Sequence, residues 1–191
     1  MKILVAGGTG AIGWALVNCL KRSSHSLFAL RSHESGRSLE EAGAEPISAD
    51  ALDGASVEAA VARARPRAVI NELTSLPNYY TTAEMQAAAE RDSKVRIEGN
   101  INLLAAVRRA GARRYLLQSS GFWYAPGAGL ADESAPFAVD ASPGVAARAR
   151  TYAELEATAL RGADIECVVL RYGFFYGPGT WYTKEGDLGE H

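Results

Sequence analysis

Directly behind the apolar run KILVA (2–6) the chain reads GGTGAIG, and this stretch constrains the fold more than any other. Gly7, Gly10 and Gly13 recur at every third position, between a strand-like run and a helical pattern that opens at Ala11. Glycines so placed do separate work: one allows a tight turn, one lets backbone approach a pyrophosphate, and one lets the helix pack closely on the sheet. The phosphates would then lie at the positive N-terminus of the helix. That context makes Gly7, Thr9, Gly10, Ala11, Ile12 and Gly13 the candidate phosphate-binding residues, with tight packing alone as the competing explanation.

Beyond that motif, short β-branched or apolar runs alternate with helical patterns. Strands are expected at 2–6, 26–30, 45–48, 67–71, 113–119 and 165–170, and helices at 11–22, 33–42, 54–64, 82–110 and 145–161. Parallel neighbours need crossover connections, which the helices supply. The pattern predicts an α/β protein: a doubly wound parallel-sheet Rossmann fold, three-layer αβα, with strand order 3-2-1-4-5-6 in a single domain over residues 1–191. Segment 121–143 is long for a plain connection and leaves the carboxyl end of a strand, where open parallel sheets bind ligands.

Composition narrows the partners. A net charge of −2 leaves no electrostatic reason to expect a nucleic acid or an anionic membrane surface. The basic group Arg108, Arg109, Arg113 and Arg114 flanks a helix end, where cations oppose the negative end of the dipole. Cys19 and Cys167 sit far apart in apolar segments, without metal-ligand spacing, and read as buried packing thiols; no metal is expected. No apolar stretch is long enough for a bilayer and the opening run is too short for a signal peptide, so a cytoplasmic protein is expected.

At the end of the second strand this fold often carries an acid that bonds the adenosine ribose. Here stand Arg31 and Ser32. A guanidinium can take a 2′-phosphate bidentately where a carboxylate would repel it, which favours NADP, with NAD as the alternative. An exposed arginine closing a strand is the competing explanation.

Taken in order, GGTGAIG, SADALD (48–53), AVINELTS (68–75), EGNINLLAAVRRAGARRYLLQSS (98–120) and RYGFFYGPG (171–179) resemble the extended and atypical short-chain dehydrogenase/reductases, the NAD-dependent epimerase/dehydratase group. The resemblance implies that Asp50 and Ala51 flank the adenine and that Leu73 and Thr74 line the cofactor cleft. It also implies that Asn100 or Asn102 ties the long helix to the fourth strand. Ser120, four residues before Tyr124, would position the substrate oxygen, unless Ser119 and Ser120 merely cap loop backbone. Tyr172 and Gly173 would lie near the nicotinamide end.

The same family carries Tyr-x-x-x-Lys, and here the corresponding helix reads YAELE (152–156). Ionising a free tyrosine at neutral pH costs roughly 4 kcal/mol, which a nearby ammonium reduces and a carboxylate increases. In one register Tyr152 holds the tyrosine place and Glu156 replaces the lysine. In the other, favoured by spacing, Glu156 matches an acid that follows the family's lysine, so the lysine place falls on Tyr152 and the tyrosine place on Arg148. In both, Arg148, Tyr152 and Glu156 form one helical stripe beside an apolar face of Ala153, Ala157 and Leu160. Either Arg148 supplies a positive charge while Tyr152 donates the proton, or the three form a surface ladder.

The resemblance thus implies an NAD(P)-dependent oxidoreductase or epimerase acting on a small carbonyl or hydroxyl compound or a sugar nucleotide. A non-catalytic NADP-binding module, or a truncated inactive relative, is the alternative. The chain stops twelve residues past Gly179, where such enzymes continue into a substrate-binding region. Either the chain is a fragment or truncated product of a longer protein, or substrate is held by segment 121–143 and a partner subunit, such as a second copy in a homodimer.

Overall fold

A computed structural model of the protein describes residues 1–31, 39–77, 81–162, 164–177 and 180, with Arg31 described by its backbone alone. Six strands, β1 (Lys2–Ala6), β2 (Ser26–Arg31), β3 (Glu45–Ser48), β4 (Ala68–Asn71), β5 (Arg114–Ser120) and β6 (Glu166–Tyr172), form one sheet in the order β3-β2-β1-β4-β5-β6. Every pairing is parallel. The order reverses between β1 and β4, which places the switch point, and with it the natural ligand crevice, above the GGTGAIG turn.

Side-chain alternation along the strands builds two cores. Leu4 and Ala6 of β1 face one way, into a cluster with Val57, Val61, Leu103, Val107, Tyr115 and Leu155. Ile3 and Val5 face the other way, toward Val17, Leu27, Ala29 and Ile70. The first cluster is covered by α2 (Gly54–Ala64), α4 (Asn100–Arg109) and α5 (Pro143–Leu160), and the second by α1 (Ala11–Leu20). The helices start where local chemistry permits: the Asp53 carboxylate accepts from the Ala55 amide at 3.0 Å, and Pro143 opens α5.

The helix expected over 82–110 is present and runs without interruption through α3 (Thr82–Lys94), a π-helical turn (Val95–Gly99) and α4, with right-handed helical backbone at both junctions. Gly99 closes the π turn at a tight approach, where a Cβ would come within 3.3 Å of the Ala51 methyl and 3.5 Å of Leu73 Cδ1. The helix expected at 33–42 falls largely outside the described residues, and 39–43 is a turn. Cys19 is exposed rather than packed, because it lies on the outer side of α1; Cys167 is half-buried, and burial raises its thiol pKa.

Three members of the basic group are paired. Arg108 meets Asp164 at 3.1 Å, Arg109 meets Glu58 at 3.0 Å and Arg114 meets Glu166 at 2.8 Å. Such exposed pairs each contribute about 0–1 kcal/mol. Among the described residues no helix is long and apolar enough to cross a membrane, and no group of His, Cys, Asp and Glu could hold a metal ion.

Candidate functional site

The glycine turn leaves no room for side chains. Gly7 has φ +83°, and a Cβ there would lie 2.4 Å from the Glu72 carbonyl oxygen; at Gly13 a Cβ would lie 2.2 Å from the Gly7 carbonyl oxygen. The Gly10 amide donates to that same Gly7 oxygen at 3.0 Å, which closes the turn. Gly10 caps α1 without a side-chain hydrogen bond, and the first helical turn holds no acid, so the amides around Ala11 and Ile12 are left for an anion. Thr9 is half-buried beside them, with Gly10 and Ala11 exposed. Gly8 makes a fourth constraint that the three-residue spacing missed: its Cβ would meet the Ala29 methyl at 2.7 Å. A pyrophosphate fits this cradle by shape and by charge.

On the β2–β3 side, Asp50 turns its carboxylate to the Leu52 amide at 2.9 Å, and the Ala51 carbonyl accepts from Asn102 Nδ2 at 2.9 Å. The Arg31 backbone pairs with Ser48; its side chain, and the whole of Ser32, lie outside the described residues. Leu73 and Thr74 are half-buried just past β4, with the Leu73 amide held by Asn71 Oδ1 at 3.0 Å. Asn71 Nδ2 donates to Asn100 Oδ1 at 3.1 Å and to the Tyr115 hydroxyl at 2.8 Å, and that hydroxyl donates to Asn100 at 2.7 Å. Asn100 therefore ties the helix to β4, while Asn102 ties it to the Ala51 loop.

The stripe on α5 faces inward. Glu156 is buried, takes two hydrogen bonds from Arg171 at 2.8 Å each, and accepts from the Ser119 hydroxyl at 2.5 Å. Arg171 also donates to the Ala135 carbonyl at 2.9 Å and lies over the rings of Phe137 (4.4 Å) and Tyr124 (5.0 Å). The pair thus joins α5, β5, β6 and the 121–143 segment, and the Glu156 hydrogen bonds hold the Arg171 pKa well above its usual value.

One turn earlier, Tyr152 is buried and stacks on Trp123 at 6.4 Å, with the Arg96 guanidinium 5.1 Å from its ring centre. Burial raises its pKa; the positive charges of Arg96 and Arg148 and a hydrogen bond with Trp123 offset this in part, while Asp92 adds to it. Arg148 reaches Asp92 at 3.6 Å, and Asp92 is held by Arg96 at 2.9 Å and by the Ser75 amide at 2.8 Å. The three side chains are therefore no surface ladder. The apolar face expected at Ala153, Ala157 and Leu160 is displaced: Ala157 and Leu160 are exposed, and α5 buries Ala146, Ala149, Leu155 and Ala159 instead. Partners on α3, the π turn and β6 pull the polar stripe inward, and none of them is visible in the periodicity of α5 itself.

Ser120 is buried at the end of β5, and its Oγ accepts from the Phe122 amide at 3.3 Å. The hydroxyl proton is not used by that contact. At the end of β6 the Tyr172 hydroxyl donates to Glu72 Oε1 at 3.1 Å, with Gly173 exposed just beyond. Glu72 is only 5% exposed, and its Oε2 has no hydrogen-bond partner among the described residues. Burial lifts its carboxyl to about 7, against the lowering effects of the Tyr172 hydrogen bond and the Arg96 charge. Sequence reasoning missed Glu72, Asp92 and Arg96, although a charged residue between the apolar AVI run and Leu73 was a usable signal for the first. Phe122 and Phe174 pack together at 4.3 Å, both largely exposed, beside this end of the sheet.

The sequence model of the NAD dependent epimerase/dehydratase family matches residues 3–190. A 3-diazoavenalumate denitrifying reductase of a Streptomyces species is 42% identical over 193 residues, which cover 97% of this chain and 60% of that protein. In structure the chain is similar to a Thermus thermophilus UDP-glucose 4-epimerase in complex with NAD, at 26% identity and a TM-score of 0.76, over 99% of this chain and 60% of that one. A Thermotoga maritima UDP-glucose 4-epimerase with UDP-glucose gives 25% identity and a TM-score of 0.73, over 99% and 61%. The chain spans about three-fifths of the length of these relatives. With the match running across nearly its whole length, the chain belongs to the NAD dependent epimerase/dehydratase family.

Proposed function

We propose that the chain is the dinucleotide-binding part of an NAD(P)H-dependent reductase whose substrate accepts hydride without a proton from the enzyme, and that this substrate is an aromatic diazo compound reacting as its diazonium form. The observation that supports the reading is the filling of the acid–base positions on α5. No lysine follows Tyr152, its buried ring lies against Trp123 and Arg96, and Arg148 one turn earlier is drawn toward Asp92. Carbonyl reduction needs a proton for the developing alkoxide, so it would leave that task undone. A diazonium carbon needs none: hydride attaches to carbon, the C–N bond breaks, and its electron pair departs with dinitrogen. The balance is R–N2⁺ and hydride giving R–H and N2. A relative 42% identical is named a denitrifying reductase of 3-diazoavenalumate, which puts a diazo substrate ahead of a sugar nucleotide or a ketone.

The dinucleotide supplies the hydride when bound. The amides of Ala11 and Ile12 would take its pyrophosphate, with Gly10 letting it approach the backbone; Asp50 and Ala51 would flank its adenine, and Leu73, Thr74, Tyr172 and Gly173 would line the path toward the nicotinamide. Ser120 would orient the substrate, and Phe122 with Phe174 offers an apolar wall for a flat molecule. We take NADPH over NADH, because Arg31 ends β2 beside the glycine turn, whose Gly8 amide donates to Leu30 at 3.3 Å.

The test pairs an arenediazonium probe with a panel of aldehydes and ketones, each supplied with NADPH deuterated at the transferred position. Deuterium at the carbon that bore nitrogen, with release of N2 and no carbonyl turnover, is the expected result. Carbonyl reduction that collapses in Tyr152→Phe would overturn the reading. For the cofactor, NADPH and NADH are titrated against the wild type and Arg31→Ala; equal affinities before and after the change would remove the NADPH preference.

A further inference from the structure

Glu72 stands apart from the other buried charges of this edge of the sheet. Glu156 takes hydrogen bonds on both of its oxygens and Asp92 likewise, whereas Glu72 has one oxygen on Tyr172 and the other without a partner among the described residues. Its place follows from the strand order. A dinucleotide laid across the switch point puts its pyrophosphate on the turn after β1 and its adenosine toward β2. The nicotinamide half must then run the other way, over the carboxyl ends of β4, β5 and β6. The Glu72 backbone packs on Gly7 at the start of that path, and its side chain reaches Tyr172 at the far side. A buried oxygen left open along this line requires either a proton or a ligand.

We propose that the Glu72 carboxyl faces the nicotinamide half of the cofactor and follows its charge, ionised beside the positively charged oxidised ring and protonated beside the neutral reduced one. The inference rests on the dinucleotide reading above. A nearby cation favours a carboxylate and its removal favours the acid, so reduction of the ring is coupled to uptake of one proton from solvent at Glu72. The groups facing the carboxyl fit this role. Tyr172 on β6 donates to it and Arg96 on the π turn adds positive charge, while the end of β1 brings only Gly7, against the Glu72 backbone. The first turn of α1 contributes no acid. With these neighbours the group lies near pH 7, where a change in ring charge can move it.

The experiment measures binding, not turnover. Affinities for NADP⁺ and NADPH are determined by calorimetry from pH 6 to pH 8.5 for wild type, Glu72→Gln and Tyr172→Phe, with thermal melts to verify folding. In the wild type the ratio of affinities should move toward the oxidised form by about tenfold as pH rises through 7. The adenosine phosphate titrates alike in both ligands and cancels in the ratio. Glu72→Gln should give a ratio independent of pH. Tyr172→Phe, which removes a hydrogen bond that holds the carboxyl down, should displace the change to higher pH. The same pH-dependent ratio in wild type and Glu72→Gln, or a flat ratio in the wild type, overturns this inference and leaves the dinucleotide site standing. Absence of binding by either cofactor overturns both.

Discussion

The two ends of the carboxyl edge of the sheet are built on different principles. At the β1–α1 turn the constrained residues themselves are clustered: Gly7, Gly8, Gly10 and Gly13 lie within seven residues, and the atoms a Cβ would strike are the turn's own backbone, the Glu72 carbonyl behind β4 and the Ala29 methyl of β2. At the β5–β6 end, the constraints are ion pairs and hydrogen bonds between side chains far apart in sequence. Glu156 meets Arg171 across 15 positions, Arg148 meets Asp92 across 56, and Glu72 meets Tyr172 across 100. The first kind of site is preorganised by what the chain lacks, the second by what folding brings together.

If the second region depends on paired charges, breaking one should have the largest effect. Arg171→Met leaves Glu156 buried without its bidentate partner and should cost about 3–5 kcal/mol of stability, read by denaturant unfolding. The double change to Arg171→Met with Glu156→Leu should recover much of that loss, since an apolar pair needs no compensation. A single variant as stable as the wild type would mean that Ser119 and solvent already satisfy Glu156, and the contrast between the two regions would weaken.

Glu72 gives the next effect, through pH. Its carboxyl is held at about 7 in the folded chain by burial, against 4.5 when free. Between these values the unfolded chain has released the proton while the folded one keeps it, so stability falls as pH rises, by about 3 kcal/mol in total, and levels above 7. Glu72→Gln removes that contribution: it should match the wild type near pH 4.5 and exceed it at pH 8 by a comparable amount. Unfolding at pH 4.5, 6 and 8 checks this. An equal difference at all three would show that the carboxyl is ionised throughout.

The local region should respond less in stability and more in binding. Gly13→Ala drives a methyl into the Gly7 carbonyl, and overpacking of this kind costs about 1–3 kcal/mol. The turn can yield only by opening, so NADPH binding should be lost even where the melt shows a folded protein. Retained affinity would mean that the glycine turn serves packing alone.

These contrasts explain what could be read in advance. Strand positions and the 3-2-1-4-5-6 order follow from apolar runs, helical periods and crossover geometry, all local or generic, and β1 and β3 fall at 2–6 and 45–48 as expected. The long helix is legible from its period, whereas the π turn inside it is not, because Arg96 and Gly99 fit a helical pattern as they stand; Arg96 pairs with Asp92 at i,i+4 spacing and lies over the Tyr152 ring, and Gly99 lies against Ala51. The face of α5 was misjudged for the same reason. Its alanines are spread around the helix, and the choice between faces is made by Arg96, Asp92 and Arg171, which lie elsewhere in the chain. Ser120 was placed at the end of β5 by its strand, but its bond to the Phe122 amide depends on a short helical turn that the sequence does not mark.

Tyr152→Phe should have the smallest effect, and for that reason it discriminates most sharply between the two regions' roles. The ring keeps its stacking on Trp123 and its contact with Arg96, so only the hydroxyl is lost, worth about 1 kcal/mol at most. Burial raises the pKa of that hydroxyl, the wrong direction for a group meant to exchange protons at neutral pH. Hydride transfer to a diazonium probe should therefore change by less than about twofold, as expected where no enzyme proton enters the balance. A loss of a hundredfold or more, the scale of a general acid's contribution, would return Tyr152 to the chemistry and make α5 the seat of proton transfer despite its lost lysine.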